Sequence, residues 1–222
     1  MARLARVVVP NAPHHIPQRG NRRLKTFFDD ADYELYLELM AESCAHENVT
    51  CLAYCLMPNH VHLVLTPPSQ DALTRAIANA HRRYTRHINF AKGWTGYLWQ
   101  GRFGSFPMDE PHLLSAVRYV EQNPVRARLV RRAQDWRWSS ARAHLARADD
   151  RLVRVRMMLD LVPEWRAYLA DGLDRPAINE IERHLSTGRP LGGDAFLARI
   201  EKKLKRALRP QKRGPKPKRS GN

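Results

Sequence analysis

The sequence predicts an α+β fold: a four-stranded antiparallel sheet in split βαβ, ferredoxin-like order, with a C-terminal helical appendage and a basic tail. Three observations predict it. Residues 50–56 and 60–66 are β-rich runs separated by Pro58-Asn59, a hairpin signature. Apolar residues recur at helical spacing on either side of that hairpin. Weaker β patterns open and close the unit, giving the order strand, helix, strand, strand, helix, strand.

Each element has a local reason. Residues 6–19 read as the first strand, from Arg6-Val7-Val8-Val9 to Arg19, and prolines at 10, 13 and 17 make it an irregular or edge strand. Asp29 and Asp30 open a helix whose Tyr33, Tyr36, Leu37, Met40, Ala41 and Cys44 share a face. After the hairpin, Asp71 begins a second helix lined by Leu73, Ile77, Ala80, Tyr84 and Ile88, with Arg75, Arg82, Arg83 and Arg86 supplying positive charge. Residues 93–101 form a loop carrying Trp94, Tyr97, Leu98, Trp99 and Gln100, and residues 102–108 alternate weakly as a fourth strand. Asp109 or Glu110 caps a third helix with Pro111 in its first turn. A short helix follows Trp136-Arg137-Trp138-Ser139-Ser140 and runs to about Ala146. The expected divisions are 1–145, a helical segment 146–208 with a turn at 186–192, and a basic tail 209–222, read as disordered because it has almost no apolar content.

Composition narrows the class of partner. Lys plus Arg number 38 against 22 Asp plus Glu, a formal charge of +16, which points to a polyanion. Ten basic and no acidic residues lie between Lys202 and Arg219. Three cysteines, Cys44, Cys51 and Cys55, are too sparse for a disulfide framework and fit a reducing compartment. No apolar run approaches the roughly 18 residues of a membrane span, so a cytoplasmic protein without membrane contact is expected.

Two groups of residues carry chemistry. In His60-Val61-His62-Leu63-Val64-Leu65 the period of two sends both imidazoles to one face of a strand and Val61, Leu63 and Leu65 to the other. One face can enter a core while the other presents two ligands to a metal. His14 and His15 are adjacent, so at most one of them can join that face. On the third helix, Leu113, Leu114, Val117 and Val120 form an apolar stripe, with Tyr119 and Asn123 together roughly opposite it. Surface histidines and a surface tyrosine satisfy the same patterns. A zinc site using Cys51 and Cys55 with His60 and His62 also remains open, since positions four apart share one strand face.

The combination resembles the HUH nucleases, in their single-tyrosine IS200-like transposase branch, and the REP-associated tyrosine transposases in particular. The matching stretches are Tyr54-Cys55-Leu56-Met57-Pro58-Asn59-His60-Val61-His62-Leu63, Leu98-Trp99-Gln100-Gly101-Arg102-Phe103, Arg118-Tyr119-Val120-Glu121-Gln122-Asn123-Pro124-Val125-Arg126-Ala127 and Trp138-Ser139-Ser140. Pro13-His14-His15 and Gln18-Arg19-Gly20-Asn21 also fit, so the resemblance covers about 1–145, with the 187–192 turn like that of longer members. It implies a DNA transposase that cuts and rejoins single-stranded DNA beside hairpins such as repetitive extragenic palindromes. Tyr119 would be the nucleophile of a 5′-phosphotyrosine intermediate, and His60, His62 and Asn123 would hold a divalent metal, Mg²⁺ or Mn²⁺. Arg19 and Arg102 are candidate phosphate contacts, Arg82, Arg83 and Arg86 a candidate backbone-binding row, and Trp99, with Trp94 and Tyr97, a candidate base-stacking group. Monomer and homodimer both suit such a protein, so the histidine face and the Tyr119 face are expected to meet within one chain or across a dimer. The competing reading is a non-catalytic nucleic-acid-binding regulator that kept the fold.

Overall fold

A computed structural model describes residues 6–209. The basic run beyond Arg209, read above as a disordered tail, lies outside the described residues. The elements are β1 (His14–Arg19), α1 (Asp30–His46), β2 (Thr50–Met57), β3 (His60–Thr66), α2 (Gln70–Lys92), β4 (Phe106–Pro107), α3 (Glu110–Glu121), α4 (Asn123–Arg126), α5 (Ala141–Ala146), α6 (Arg156–Leu161), α7 (Trp165–Ala170), α8 (Arg175–Thr187) and α9 (Asp194–Leu204). The sheet is antiparallel in the order β2-β3-β1-β4.

The hairpin and the helix starts form for the expected reasons. Asp29, Ser69 and Asp109 each accept a hydrogen bond from the backbone N–H three residues on, capping α1, α2 and α3. Gly93 closes α2 in the left-handed region at φ 64, where a side chain would be strained.

Three expectations on strands and faces are corrected. The first strand begins at His14 instead of residue 6, because Asn11 (φ 62) turns the chain and the His14 imidazole fastens that turn, accepting from Val9 N and bonding Ala12 O. Val7 and Val9 instead join Phe196, Ile200 and Leu208 in a small second core. The fourth strand shrinks to two residues. Gly104 N and Met108 N donate to Pro17 O and Pro13 O, but those prolines have no N–H to return, so the ladder is half made.

The third correction concerns the strand face that Cys51 and Cys55 were expected to share beside His60 and His62. Cys51 lies beside Cys44 of α1, on the face of Leu65, whereas Cys55 pairs with His62 and lies near Glu121 and Arg126. A register shift between Cys51 and Ala53 separates the two thiols onto opposite faces. Helices α1 and α2 therefore cover one side of the sheet, and α3 packs on β2 and β3 from the histidine side.

The C-terminal segment is integral to this packing. The outer edge of β2 is closed by Leu56 N to Trp138 O (2.8 Å), Ser140 N to Tyr54 O (3.0 Å) and Arg154 N to Cys51 O (2.9 Å), leaving little of the edge for another chain. Helix α3 is clamped from behind: Arg118 donates to Gly172 O at 2.6 Å, Gln122 donates to Leu169 O at 2.7 Å, and the Tyr168 hydroxyl donates to Leu114 O. Leu152, Val155, Trp165, Leu169, Ile181 and Leu191 all belong to the main core.

Candidate active site

The His60 end of β3 and the C-terminal end of α3 open into one cleft of about 1180 Å³. Its lining includes His60, His62, Tyr119, Asn123, Arg19 and Arg102, six of the residues singled out from sequence, together with Arg23, Arg126, Glu182 and Arg189. The ring of Tyr119 lies 5.8 Å from that of His62 and 6.0 Å from that of His15, edge-on to both. The two faces therefore meet within a single chain.

The histidines are held neutral and oriented. His60 Nδ1 sits 2.7 Å from Asn59 Oδ1, an obligate acceptor, so that nitrogen carries the proton and Nε2 keeps its lone pair. Burial, with Arg19 and Arg126 nearby, lowers the His60 pKa to about 4. Burial, then His15, His60 and the same arginines, holds His62 well below the usual imidazole range. The Nδ1 of His62 meets His15 Nε2 at 2.9 Å across the strand pair. The alternation argument admitted one of His14 and His15 to this face, and His15 is the one that joins it.

Tyr119 is 5% exposed, so it is not a surface tyrosine. It faces away from the apolar stripe, but that side is roofed by Arg126, whose guanidinium lies 3.7 Å from the ring centre and donates to Tyr119 O at 3.0 Å. Burial raises the phenol pKa, Arg126 pulls it back down, and Glu182 on α8 opposes Arg126. Asn123 is not on the Tyr119 helix. Helix α3 ends at Glu121 and Asn123 begins the short α4, because Pro124 fits the first turn of a new helix. Asn123 is buried and its amide nitrogen has no partner among the described residues.

These residues fit a divalent cation. Two neutral imidazoles and a buried carboxamide whose nitrogen is unpartnered line the cleft, and the nitrogen and oxygen of such an amide are assigned by the network, so either can face it. The alternative zinc reading fails on geometry, because Cys51 faces away from the histidines and Cys55 donates to Met57 Sδ. Among the described residues no group of three or more His, Cys, Asp or Glu side chains is arranged to hold a metal.

Other expected residues lie elsewhere. Trp99 is a core residue: its ring stacks on His81 at 4.6 Å and packs against Tyr36 and Tyr84, which corrects the expectation that it stacks on bases. Tyr97 and Trp94, from the same loop, are 88% and 44% exposed. Arg82, Arg83 and Arg86 lie on the exposed side of α2 and do not line the cleft; Arg83 pairs with Glu42 of α1 at 2.5 Å. Arg126, Glu182 and Arg189 went unnoticed in sequence, since nothing in the local pattern marks which arginine of 126–132 turns inward or that α8 returns to the site.

A family model described as "Transposase IS200 like" matches residues 9–123, just over half of the chain. The chain belongs to the IS200-like transposase family. A Haemophilus influenzae protein named as a REP-associated tyrosine transposase is 28% identical over 129 residues, covering 53% of this chain and 73% of that one. A solved REP-associated tyrosine transposase, described as bound to a REP hairpin, shares the fold at TM-score 0.54 and 21% identity, over 66% of this chain and 87% of that one. A transposase structure from Deinococcus radiodurans aligns at TM-score 0.39 and 20% identity, over 55% of this chain and 97% of that one. The family match ends at Asn123, so it spans the histidine pair and Tyr119 while Arg126 and the α8 wall lie beyond it. Among the described residues no helix of this transposase-family chain is long and apolar enough to cross a membrane.

Proposed function

We propose that this chain is a single-strand DNA strand transferase that cuts and rejoins DNA beside hairpins through Tyr119. The observation carrying the reading is the Tyr119 ring 5.8 Å from His62, inside a cleft whose other charged lining is mostly arginine. Arg19, Arg23, Arg102 and Arg189 suit a phosphodiester backbone passing between the sheet edge and α8.

In the proposed step the phenol oxygen of Tyr119 forms a bond to the scissile phosphorus and the bond to the 3′ oxygen breaks. The phenol proton is lost and the leaving 3′ oxygen gains one. The products are a 5′-phosphotyrosine and a free 3′-hydroxyl, and the diester's energy is retained for rejoining. Burial keeps the phenol protonated at neutral pH, and the Arg126 guanidinium favours the charge that develops on its oxygen. His60, His62 and Asn123 would hold a divalent cation, which when bound would supply Lewis-acid polarisation of the phosphate and of the leaving oxygen. The neutral tautomer fixed by Asn59 keeps His60 Nε2 available for that role. The resemblance to REP-associated tyrosine transposases supports hairpin DNA as the substrate class.

The test is incubation of hairpin-bearing single strands with Mn²⁺ or Mg²⁺. The expected result is a covalent protein–DNA adduct that the wild type forms and Tyr119→Phe does not. An adduct from Tyr119→Phe overturns the assignment, and binding without cleavage in any metal supports a regulator that kept the fold.

A further inference from the structure

A second cavity, of about 560 Å³, lies behind α4, on the opposite side of Arg126 from the cleft. Arg126 lines both spaces, and Arg131, Arg132 and Arg166 rim the second. None of its lining residues is acidic. Arg132 is paired with Asp135. Arg131 and Arg166 are exposed and, among the described residues, make no hydrogen bond or ion pair. The floor is aliphatic, formed by Val125, Leu169, Leu173 and Ile178. Unpaired guanidinium groups around an apolar floor match a sugar–phosphate chain, with phosphates on the rim and deoxyribose carbons below.

Resting on the proposed function, we infer that this cavity is a second DNA-binding site, which takes the unpaired strand as it leaves the active-site cleft across Arg126. Continuity decides the occupant. A free small anion has no need of a track that passes over the nucleophile's own arginine, whereas a strand anchored at Tyr119 does. The end of α4 and the loop that follows it lay that track, placing Arg126, Arg128, Arg131 and Arg132 within seven residues. Arg166 joins them from α7, the helix that clamps α3.

The test measures binding in chelator, without cleavage. Fluorescein-labelled hairpin oligonucleotides carry either no unpaired flank or about ten unpaired nucleotides on one side or the other. The proteins are the full chain, the Arg131→Ala/Arg166→Ala pair and the Arg131→Lys/Arg166→Lys pair. The Ala pair is expected to weaken binding of one flanked hairpin on the order of tenfold and to reduce its log–log salt slope by about 1.4, the value for two phosphate contacts on a single strand. Binding of the flankless hairpin is expected to be unchanged, and the Lys pair to restore most of the loss. Affinity of the Ala pair unchanged from that of the full chain for both flanked oligonucleotides overturns the site. So does an equal loss with and without flanks, which would mark a general field. Calorimetric binding of inorganic phosphate that the Ala pair abolishes, with flanked DNA unaffected, overturns it in favour of a small-anion site. Because chemistry is not read, a failed Tyr119 assignment and a failed strand path give different results.

Discussion

Replacing Glu121 tests whether the C-terminal helices hold the Tyr119 helix in place. Glu121 is fully buried at the last turn of α3, two residues from both Tyr119 and Asn123. Its Oε1 accepts from Ser140 Oγ at 2.5 Å and meets His144 Nδ1 at 2.7 Å, and its Oε2 accepts from Trp165 Nε1 at 3.0 Å. In Glu121→Ala the Ser140 hydroxyl can turn to Tyr54 O, 3.3 Å away. The His144 and Trp165 ring nitrogens cannot turn, and each buried unpaired donor costs about 1–3 kcal/mol. The sum, about 2–6 kcal/mol, brackets the usual cost of breaking a buried pair. Glu121→Gln keeps one good acceptor but aims an NH₂ at a donor, so about 1–3 kcal/mol is expected. Urea unfolding followed by tryptophan fluorescence measures both. Single-turnover cleavage under fully folded conditions should fall for both variants, because the end of α3 is no longer fixed. A Glu121→Ala protein within about 1 kcal/mol of wild type, with unchanged cleavage, would refute the reasoning.

Three further outcomes follow from other parts of the molecule. His60→Ala and His62→Ala, like chelator, should abolish adduct formation while leaving hairpin affinity within a few fold, as measured by anisotropy; cleavage that persists in either variant would argue against the metal set. Trp99→Ala should cost about 3–5 kcal/mol as a core truncation, whereas Tyr97→Ala should leave stability within about 0.5 kcal/mol and weaken single-strand binding; thermal melts and anisotropy on both variants separate the roles. Burial lowers His14 to about pKa 4 and His81 to about 3, from 6.5, so the unfolded chain binds more protons as pH falls below 6.5; urea stability should be level near neutrality and drop by about 1.4 kcal/mol per pH unit for each histidine down toward pH 4, and a level profile there would contradict the buried neutral state.

The hairpin, the capped helices and the shared face of His60 and His62 were legible in the sequence because each follows from local rules of alternation, capping and turn chemistry. What escaped is set by contacts between distant segments. Helical spacing put Tyr119 opposite the apolar stripe, which is correct, but spacing alone does not reveal that Arg126 roofs it. The same spacing put Asn123 beside Tyr119 on one helix, but Pro124 starts a new turn and the break between α3 and α4 falls there. The aromatic loop 94–99 looked uniform, yet Trp99 turns into the core beside His81 while Tyr97 stays in solvent. A single bulge between Cys51 and Ala53 undid the face assignment of the two thiols. The α8 wall of the cleft is reached by a return of the chain across more than sixty residues, with no local signal in the sequence.

The most direct measurement is peptide mapping by mass spectrometry of the covalent adduct formed on a hairpin-bearing oligonucleotide with Mn²⁺. The expected result is a 5′-phosphonucleotide on the peptide containing Tyr119, absent from Tyr119→Phe. A phosphonucleotide on Tyr84, Tyr97 or any other residue, or none at all from a protein that cleaves the strand, would contradict a site built from His60, His62 and Tyr119.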